Sequence, residues 1–186
     1  MDFDKKYDII LIGCGWFGAH VYNLLRESNK TSNKKILILE KESDMFKCSS
    51  FYNQNRLHQG FHYPRSHKTR QLCLKGFRRF MDRYGFLTNV SLRNYYGIAN
   101  DSLVDAKTYE HIFEYEKYCF KPITKIPDNL KKLSGLFNTS ERIINNNKVK
   151  KYFKKLIPSK DIKYNYDVTY IYFDKLYKVI KRNDEY

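Results

Sequence analysis

From Tyr7 to Ile12 the chain is short, β-branched and apolar, the pattern of a buried parallel strand. Trp16 to Glu27 then takes helical spacing, with Phe17, Val21, Leu24 and Leu25 on one face. A polar loop tip, Ser28 to Asn33, leads to a second apolar run, Lys35 to Leu39, which ends in Glu40. Strand, helix, strand is one βαβ unit, and its crossover should be right-handed.

Ser43 to Ser66 shows neither period and reads as one long polar and aromatic loop. Helical spacing returns over Lys68 to Tyr84, with Leu72, Phe77, Phe80 and Met81 as its apolar positions and Gly85 as its C-cap. Ser91 to Ala99 reads as a strand. Asp105 to Phe120 reads as a helix capped by Asp105. Pro122 to Pro127 should be extended, while 129–140 fits neither template. Asn147 to Leu156 is a basic helix stopped by Pro158. Ile162 to Lys181 reads as two or three strands, with a hairpin turning near Asp174 and Lys175.

The fold class expected from this pattern is α/β, with a Rossmann-like βαβ unit at its start. A hydrophobic fraction of 42% over 186 residues suffices for a packed core. The net charge of +15 raises nucleic acid as a partner, yet the lysines are scattered. Their densest patch, Lys148, Lys150, Lys151, Lys154 and Lys155, lies on the basic helix and reads first as a solvated face. Cys14, Cys48, Cys73 and Cys119 show no metal-ligand spacing. No apolar run approaches the roughly 18 residues of a membrane span, and no signal peptide is recognisable. Reduced thiols in a cytoplasmic protein are the expectation.

Gly13-Cys14-Gly15-Trp16-Phe17-Gly18 fits G-x-G-x-x-G between the first strand and the first helix, the context that the motif requires. Gly13 would make the tight turn, Gly15 would admit a pyrophosphate, and Gly18 would let helix and strand approach. The helix N-terminus offers N–H groups and a positive dipole to phosphates. Glu40, with Lys41 after it, ends the second strand, where a carboxylate accepts from an adenosine ribose and repels a 2′-phosphate. The motif alone leaves NAD and FAD open.

The stretch "SSFYNQNRLHQGFHYPRSHKTR", residues 49–70, concentrates histidines, arginines and asparagines suited to wrapping an anionic, planar ligand. With "KTRQLCLKG" after it, it resembles the FAD-dependent oxidoreductases of the D-amino-acid oxidase family, most of all the L-2-hydroxyglutarate dehydrogenase-like branch. The matching positions are Asn53, His58, Gly60, Tyr63, Arg70 and Gly76. The resemblance implies that Ser49, Ser50 and Asn53 lie near an FAD pyrophosphate. It passes Leu57 to Gly60, His58 among them, beside the isoalloxazine, with Arg56 counted among the cofactor-binding residues, and puts the backbone of Val168 against the adenine. It implies an FAD/NAD(P)-binding Rossmann-like portion over 1–90 and the start of an α+β substrate domain over 91–186, with an incomplete sheet. It also implies an N-terminal portion of a longer protein, since the family's later half completes the sheet and the substrate pocket.

The function expected from the resemblance is hydride transfer from a small amine or hydroxy-acid substrate to flavin. His58 is the candidate catalytic group, since imidazole donates or accepts near neutral pH. Arg56 and Arg65 are candidates for a substrate carboxylate. An incomplete sheet would favour a complementing chain or a homo-oligomer. The alternatives are an NAD-binding Rossmann protein and, further off, a basic nucleic-acid-binding module. No metal site is expected from His58 and His62, which lack a third ligand.

Overall fold

The structure is a computed structural model. It describes residues 6–91, 93–174 and 176–181, with side chains described through residue 171. The first half contains β1 (Ile9–Ile12), α1 (Trp16–Glu27), β2 (Ile36–Leu39), α2 (Ser49–Tyr52), β3 (Arg56–Leu57) and α3 (His67–Tyr84). It goes on through β4 (Thr88–Val90), β5 (Tyr95–Ala99) and α4 (Ala106–Tyr115). The second half contains β6 (Phe120–Pro122), β7 (Leu133–Thr139), β8 (Arg142–Ile144), α5 (Asn146–Leu156), β9 (Ile162–Lys163), β10 (Val168–Asp174) and β11 (Leu176–Lys181). This is the mixed α/β, Rossmann-like fold with small sheets that the pattern predicts.

The chain forms two compact units, 1–54 with 146–186, and 55–145. The boundary expected at residue 90 falls inside the second of these, at the end of β4. The substitution of a discontinuous unit for a continuous one follows from β9, which returns to the first sheet long after β2 has left it.

In the first unit β1, β2 and β9 form a parallel sheet in the order β1-β2-β9, with Ile9 opposite Ile36 and Ile38 opposite Ile162. All four residues of β2 are buried, as a central parallel strand requires. β10 and β11 make an antiparallel hairpin in which Asp174 pairs with Leu176. Lys175, expected at its turn, lies outside the described residues.

The helix α1 has the predicted bounds but presents a different face. Ala19, Tyr22 and Asn23 are its buried residues, and Phe17 is 88% exposed. Polar bonding decides this. The Tyr22 hydroxyl donates to Asp161 Oδ2 at 2.6 Å, and Arg26 Nη2 meets the same oxygen at 2.7 Å. A buried charged acceptor thereby takes the place that an apolar stripe alone would give to leucine.

In the second unit the sheets are β3-β8-β4 and β5-β7-β6, both antiparallel. The core is aromatic: Phe61, Tyr109, Phe113, Tyr118 and Phe137 are buried together with Ile98. Phe61 and Phe113 rings lie 5.0 Å apart, and Tyr109 and Phe137 stack at the same distance. Residues 133–139, which fit neither template, form the central strand β7. Of the strand expected over 91–99, only Tyr95–Ala99 is a strand, β5, while β4 ends before it at Val90 in a different sheet. The helix expected to run to Phe120 stops at Tyr115, because Lys117 turns to φ 58° and Phe120 is needed in β6. Its N-cap is as predicted, with Asp105 Oδ1 accepting from Thr108 N–H at 2.9 Å. Gly85 ends α3 in a right-handed conformation and continues into a 3-10 turn rather than a left-handed cap.

Candidate functional site

The strand β1 ends in a turn that only glycine takes without strain. Gly13 has φ +88°, and its N–H donates to Leu39 O at 2.7 Å, which ties the turn to the end of β2. A Cβ on Gly18 would lie 2.0 Å from Gly13 O, so α1 packs against the turn at a distance closed to any other residue. The first and third glycines therefore do what the motif demands. The second is more specific: a Cβ on Gly15 would lie 2.6 Å from Ser50 Oγ. That hydroxyl also accepts from Trp16 N–H at 3.1 Å. A residue of α2 thus sits over the N-terminus of α1, where the peptide N–H groups need acceptors.

Beyond this turn lies a cavity of about 250 Å³ at the carboxyl ends of β1 and β2, the position at which open α/β sheets bind ligands. Of the residues predicted to bind a cofactor, Gly13, Gly15, Glu40, Lys41, Ser49, Ser50 and Val168 line it. Ile12, Leu39, Phe46, Lys47, Cys48, Tyr166 and Asp167 complete the wall. Gly18 supports the turn from behind. Trp16 contributes its N–H at the turn, while its ring packs edge-on against Phe46 and Phe153 at 5.8 Å each. Neither Phe17 nor Asn53 is among the lining residues.

Glu40 is buried, and both carboxylate oxygens are engaged by backbone. Oε2 accepts from Cys14 N–H at 2.6 Å and Oε1 from Glu42 N–H at 3.0 Å. A carboxylate oxygen has two acceptor sites, so each can still accept from a hydroxyl. The backbone of the same residue anchors the far wall. Its N–H donates to Lys163 O, and its C=O accepts from Tyr166 N–H, both at 2.9 Å, which brings Asp167 and Val168 to the cavity. Cys14, inside the glycine turn, is buried, and burial with the nearby Glu40 and Asp44 charges pushes its thiol up to about 12. Its surroundings favour the thiol over the thiolate, and the side chain packs inside the turn.

The lining residues that sequence reasoning missed come from three places. Ile12 and Leu39 are the last residues of β1 and β2, whose apolar runs read only as buried strand. Phe46, Lys47 and Cys48 belong to the loop after Glu40, which carries no periodic signal. Tyr166 and Asp167 precede Val168 and were reachable from it by adjacency.

Arg56, Leu57, His58 and Gly60 belong to the second unit. There Arg56 and His58 approach one buried carboxylate, Glu141, whose side chain is 0% exposed. Glu141 Oε1 accepts from Gln59 N–H at 2.7 Å, and Oε2 accepts from the Tyr96 hydroxyl at 3.0 Å. Arg56 Nε lies 3.8 Å and His58 Nδ1 3.7 Å from the same Oε2. The Arg56 guanidinium also covers the Tyr96 ring at 4.9 Å. Burial, with the Glu141 charge second, raises the Tyr96 phenol well above its ordinary range, so it remains a donor. Gly60 has φ +112°, and a Cβ there would meet Arg70 Cα at 3.0 Å, so its glycine is required by α3. No local signal marks Glu141: it is a single acid more than 80 residues from Arg56 in sequence.

Of the other matching positions, Arg70 has a structural role. Arg70 is buried and its guanidinium pairs with Glu116, Nε donating to Oε2 at 2.9 Å, while Nη1 donates to the carbonyls of Tyr63 and Pro64. Glu116 is held below the usual carboxylate range chiefly by Arg70, with His67 adding to it. Among the described residues no group of histidine, cysteine, aspartate and glutamate could hold a metal ion, and no helix is long and apolar enough to cross a membrane.

No family model matches the sequence. The chain is 30% identical over 151 residues to FAD-dependent monooxygenase FPY4 of Fusarium mangiferae, a match covering 81% of this chain and 40% of that protein. It is 34% identical over 74 residues to FAD-dependent monooxygenase kojA of Aspergillus flavus, covering 40% of this chain and 16% of that one. Among solved structures it resembles L-α-glycerophosphate oxidase of Mycoplasma pneumoniae, reduced and with FAD bound, with a TM-score of 0.64 and 18% identity over 97% of this chain and 50% of the other. Glycine oxidase of Geobacillus kaustophilus gives a TM-score of 0.60 and 14% identity over 89% and 48%. The structural likeness shows the fold, that of flavoprotein oxidases. The chain spans at most two fifths of the length of these curated relatives. Together the likenesses relate it to FAD-dependent oxidoreductases and monooxygenases, without singling out the D-amino-acid oxidase family or its L-2-hydroxyglutarate dehydrogenase-like branch.

Proposed function

We propose that this chain holds the adenosine and pyrophosphate part of FAD and forms the cofactor-binding portion of a flavin-dependent oxidoreductase. The observation that carries the reading is the cavity at the Gly13 turn, with Glu40 and Val168 both in its wall. Its volume lies just under the roughly 300–1,000 Å³ of whole-ligand clefts, which suits part of a dinucleotide better than all of it. The close packing of Gly18 on Gly13 fits a turn built for backbone approach. Glu40 would accept from the ribose hydroxyls, and α1 would present its N–H groups to the pyrophosphate. Ser50 would turn its hydroxyl from Trp16 N–H to share those donors with a phosphate oxygen. Ser49, Lys41 and Lys47 line the same wall, where the two lysines oppose the phosphate charge.

FAD, when bound, supplies the acceptor for a hydride from a C–H bond. We further propose that Arg56 and His58 face the substrate side, with His58 as the group that takes or returns a proton at Nε2. Nδ1 of the same ring is directed at the buried Glu141, and Arg56 would orient a carboxylate. The substrate class is a small amine or hydroxy acid. The names of the relatives at 30% and 34% identity favour a second reading, monooxygenation by the same cofactor. A complementing polypeptide or second copy would supply the rest of the substrate pocket, and the cytoplasm is the compartment suited to its thiols.

The test is direct. The purified 186-residue chain is passed through gel filtration after incubation with FAD, and the visible spectrum of the protein peak is recorded. Flavin co-eluting with protein is the expected result. A colourless, folded peak that binds NAD in the same titration would overturn the assignment in favour of the NAD reading.

A further inference from the structure

The wall of the cavity contains a residue in a conformation that needs explaining. Phe46 has φ +59°, the left-handed region that an aromatic side chain rarely adopts. Three contacts over-determine it. Its N–H donates to Cys14 O at 3.1 Å. Its ring stacks on Phe153 of α5 at 5.6 Å, and Trp16 closes the group edge-on. Two residues earlier, Asp44 Oδ2 accepts from Lys150 Nζ at 2.7 Å and Lys154 Nζ at 3.0 Å, while Oδ1 accepts from Met45 N–H at 2.9 Å. Lys150 and Lys154 are four residues apart, with Phe153 beside them, so one face of α5 supplies both the ring and the charges. Burial of Asp44 would raise its carboxyl, but the lysines and Met45 N–H outweigh it and hold the group below its ordinary value.

We infer that Asp44 is a positioning residue for the cofactor cavity: gripped by Lys150 and Lys154, it holds the 41–48 loop so that Phe46 forms a fixed wall. This rests on the reading of the cavity as the FAD site, and it gives the basic face of α5 an intramolecular use in place of a polyanion surface. Glu40 and Val168 would fix two sides of the cofactor, and this clasp would fix a third. A loop free to leave its strained turn would leave the cavity open, and the ordering of that loop would then be charged against every binding event.

Trp16, the single tryptophan, reports on the clasp, since its ring touches both Phe46 and Phe153. Asp44→Asn, the double variant Lys150→Met/Lys154→Met, and the triple variant are compared with the unaltered chain by Trp16 emission without FAD and by FAD titration. The expected result is a red-shifted Trp16 emission in each variant and an FAD Kd raised roughly fivefold by Asp44→Asn or by the double variant. The triple variant should be no weaker than the double, because both changes remove one interaction. Asp44→Glu, which can still reach both lysines, should restore most of the affinity. Additive losses, or emission and affinity both unchanged in Asp44→Asn, would overturn the inference. If the unaltered chain binds no FAD, the functional reading fails, and the emission comparison alone decides whether Asp44 sets the position of Phe46.

Discussion

The two units bury carboxylates for different ends. In the first, Glu40 accepts from Cys14 and Glu42 N–H groups at the rim of a cavity and keeps acceptor capacity toward it. In the second, Glu141 and Glu116 are consumed by the protein itself: Glu141 by Gln59 N–H and Tyr96, Glu116 by Arg70 and His67. The first unit surrounds its acid with short parallel strands and a glycine turn. The second packs antiparallel sheets around an aromatic core and uses its acids to stitch loops to that core. Glu40 thus stands at the rim of a cavity beside the Gly13 turn, whereas Glu141, ringed by arginine, tyrosine and backbone, serves as a joint.

The largest effect that would break this contrast is expected at Gly18. Gly18→Val places side-chain atoms where a Cβ already meets Gly13 O at 2.0 Å, and α1 must move away from the turn. A loss of about 3 kcal/mol or more is expected from urea denaturation followed by circular dichroism. A variant as stable as the parent would mean that the turn is not rigid.

Next comes Glu141. Glu141→Ala leaves Gln59 N–H and the Tyr96 hydroxyl without their acceptor and Arg56 without its counter-charge, for a loss of about 3 kcal/mol in the same assay. Glu141→Gln keeps an acceptor oxygen and should lose less. Equal stability of all three proteins would remove Glu141 from the joints and return it to the list of groups free for a ligand.

The smallest effect sharpens the comparison through pH. Glu116 is held below the usual carboxylate range when folded, so its stabilisation is fully present above its unfolded value and is lost as pH falls through the folded one. Glu116→Gln should be less stable than the parent at pH 7, and the gap should close on acidification below the ordinary carboxylate range. A gap that is constant from pH 7 to pH 3 would show that Arg70 owes nothing to the charge of Glu116.

Much of the first unit was legible because its signals are local. The glycine turn, the α1 bounds and the acid after β2 all lie within one βαβ stretch, and each has a backbone reason. The buried face of α1 was not legible, because the partner that chooses it, Asp161, lies more than 130 residues away. More than 80 residues likewise separate Glu141 from Arg56 and His58, and more than 100 separate Lys150 and Lys154 from Asp44. The β7 strand was obscured by Ser134, Gly135 and Asn138, which weaken its alternation, though pairing on both sides holds it in the sheet. The lysine patch read as solvated was partly so: two of its members are spent on one aspartate.

The discontinuity of the first unit has a consequence in time. A ribosome adds about 5–20 residues per second, so β1, α1 and β2 would emerge on the order of ten seconds before α5 and β9. During that interval an apolar parallel pair has no third strand, and Phe46 has no α5 to stack on. Tyr166, Asp167 and Val168 follow later still. The cavity is thus complete only once Val168 has been added, near the end of its unit, and during translation the second unit, whose chain is continuous, has all its residues first.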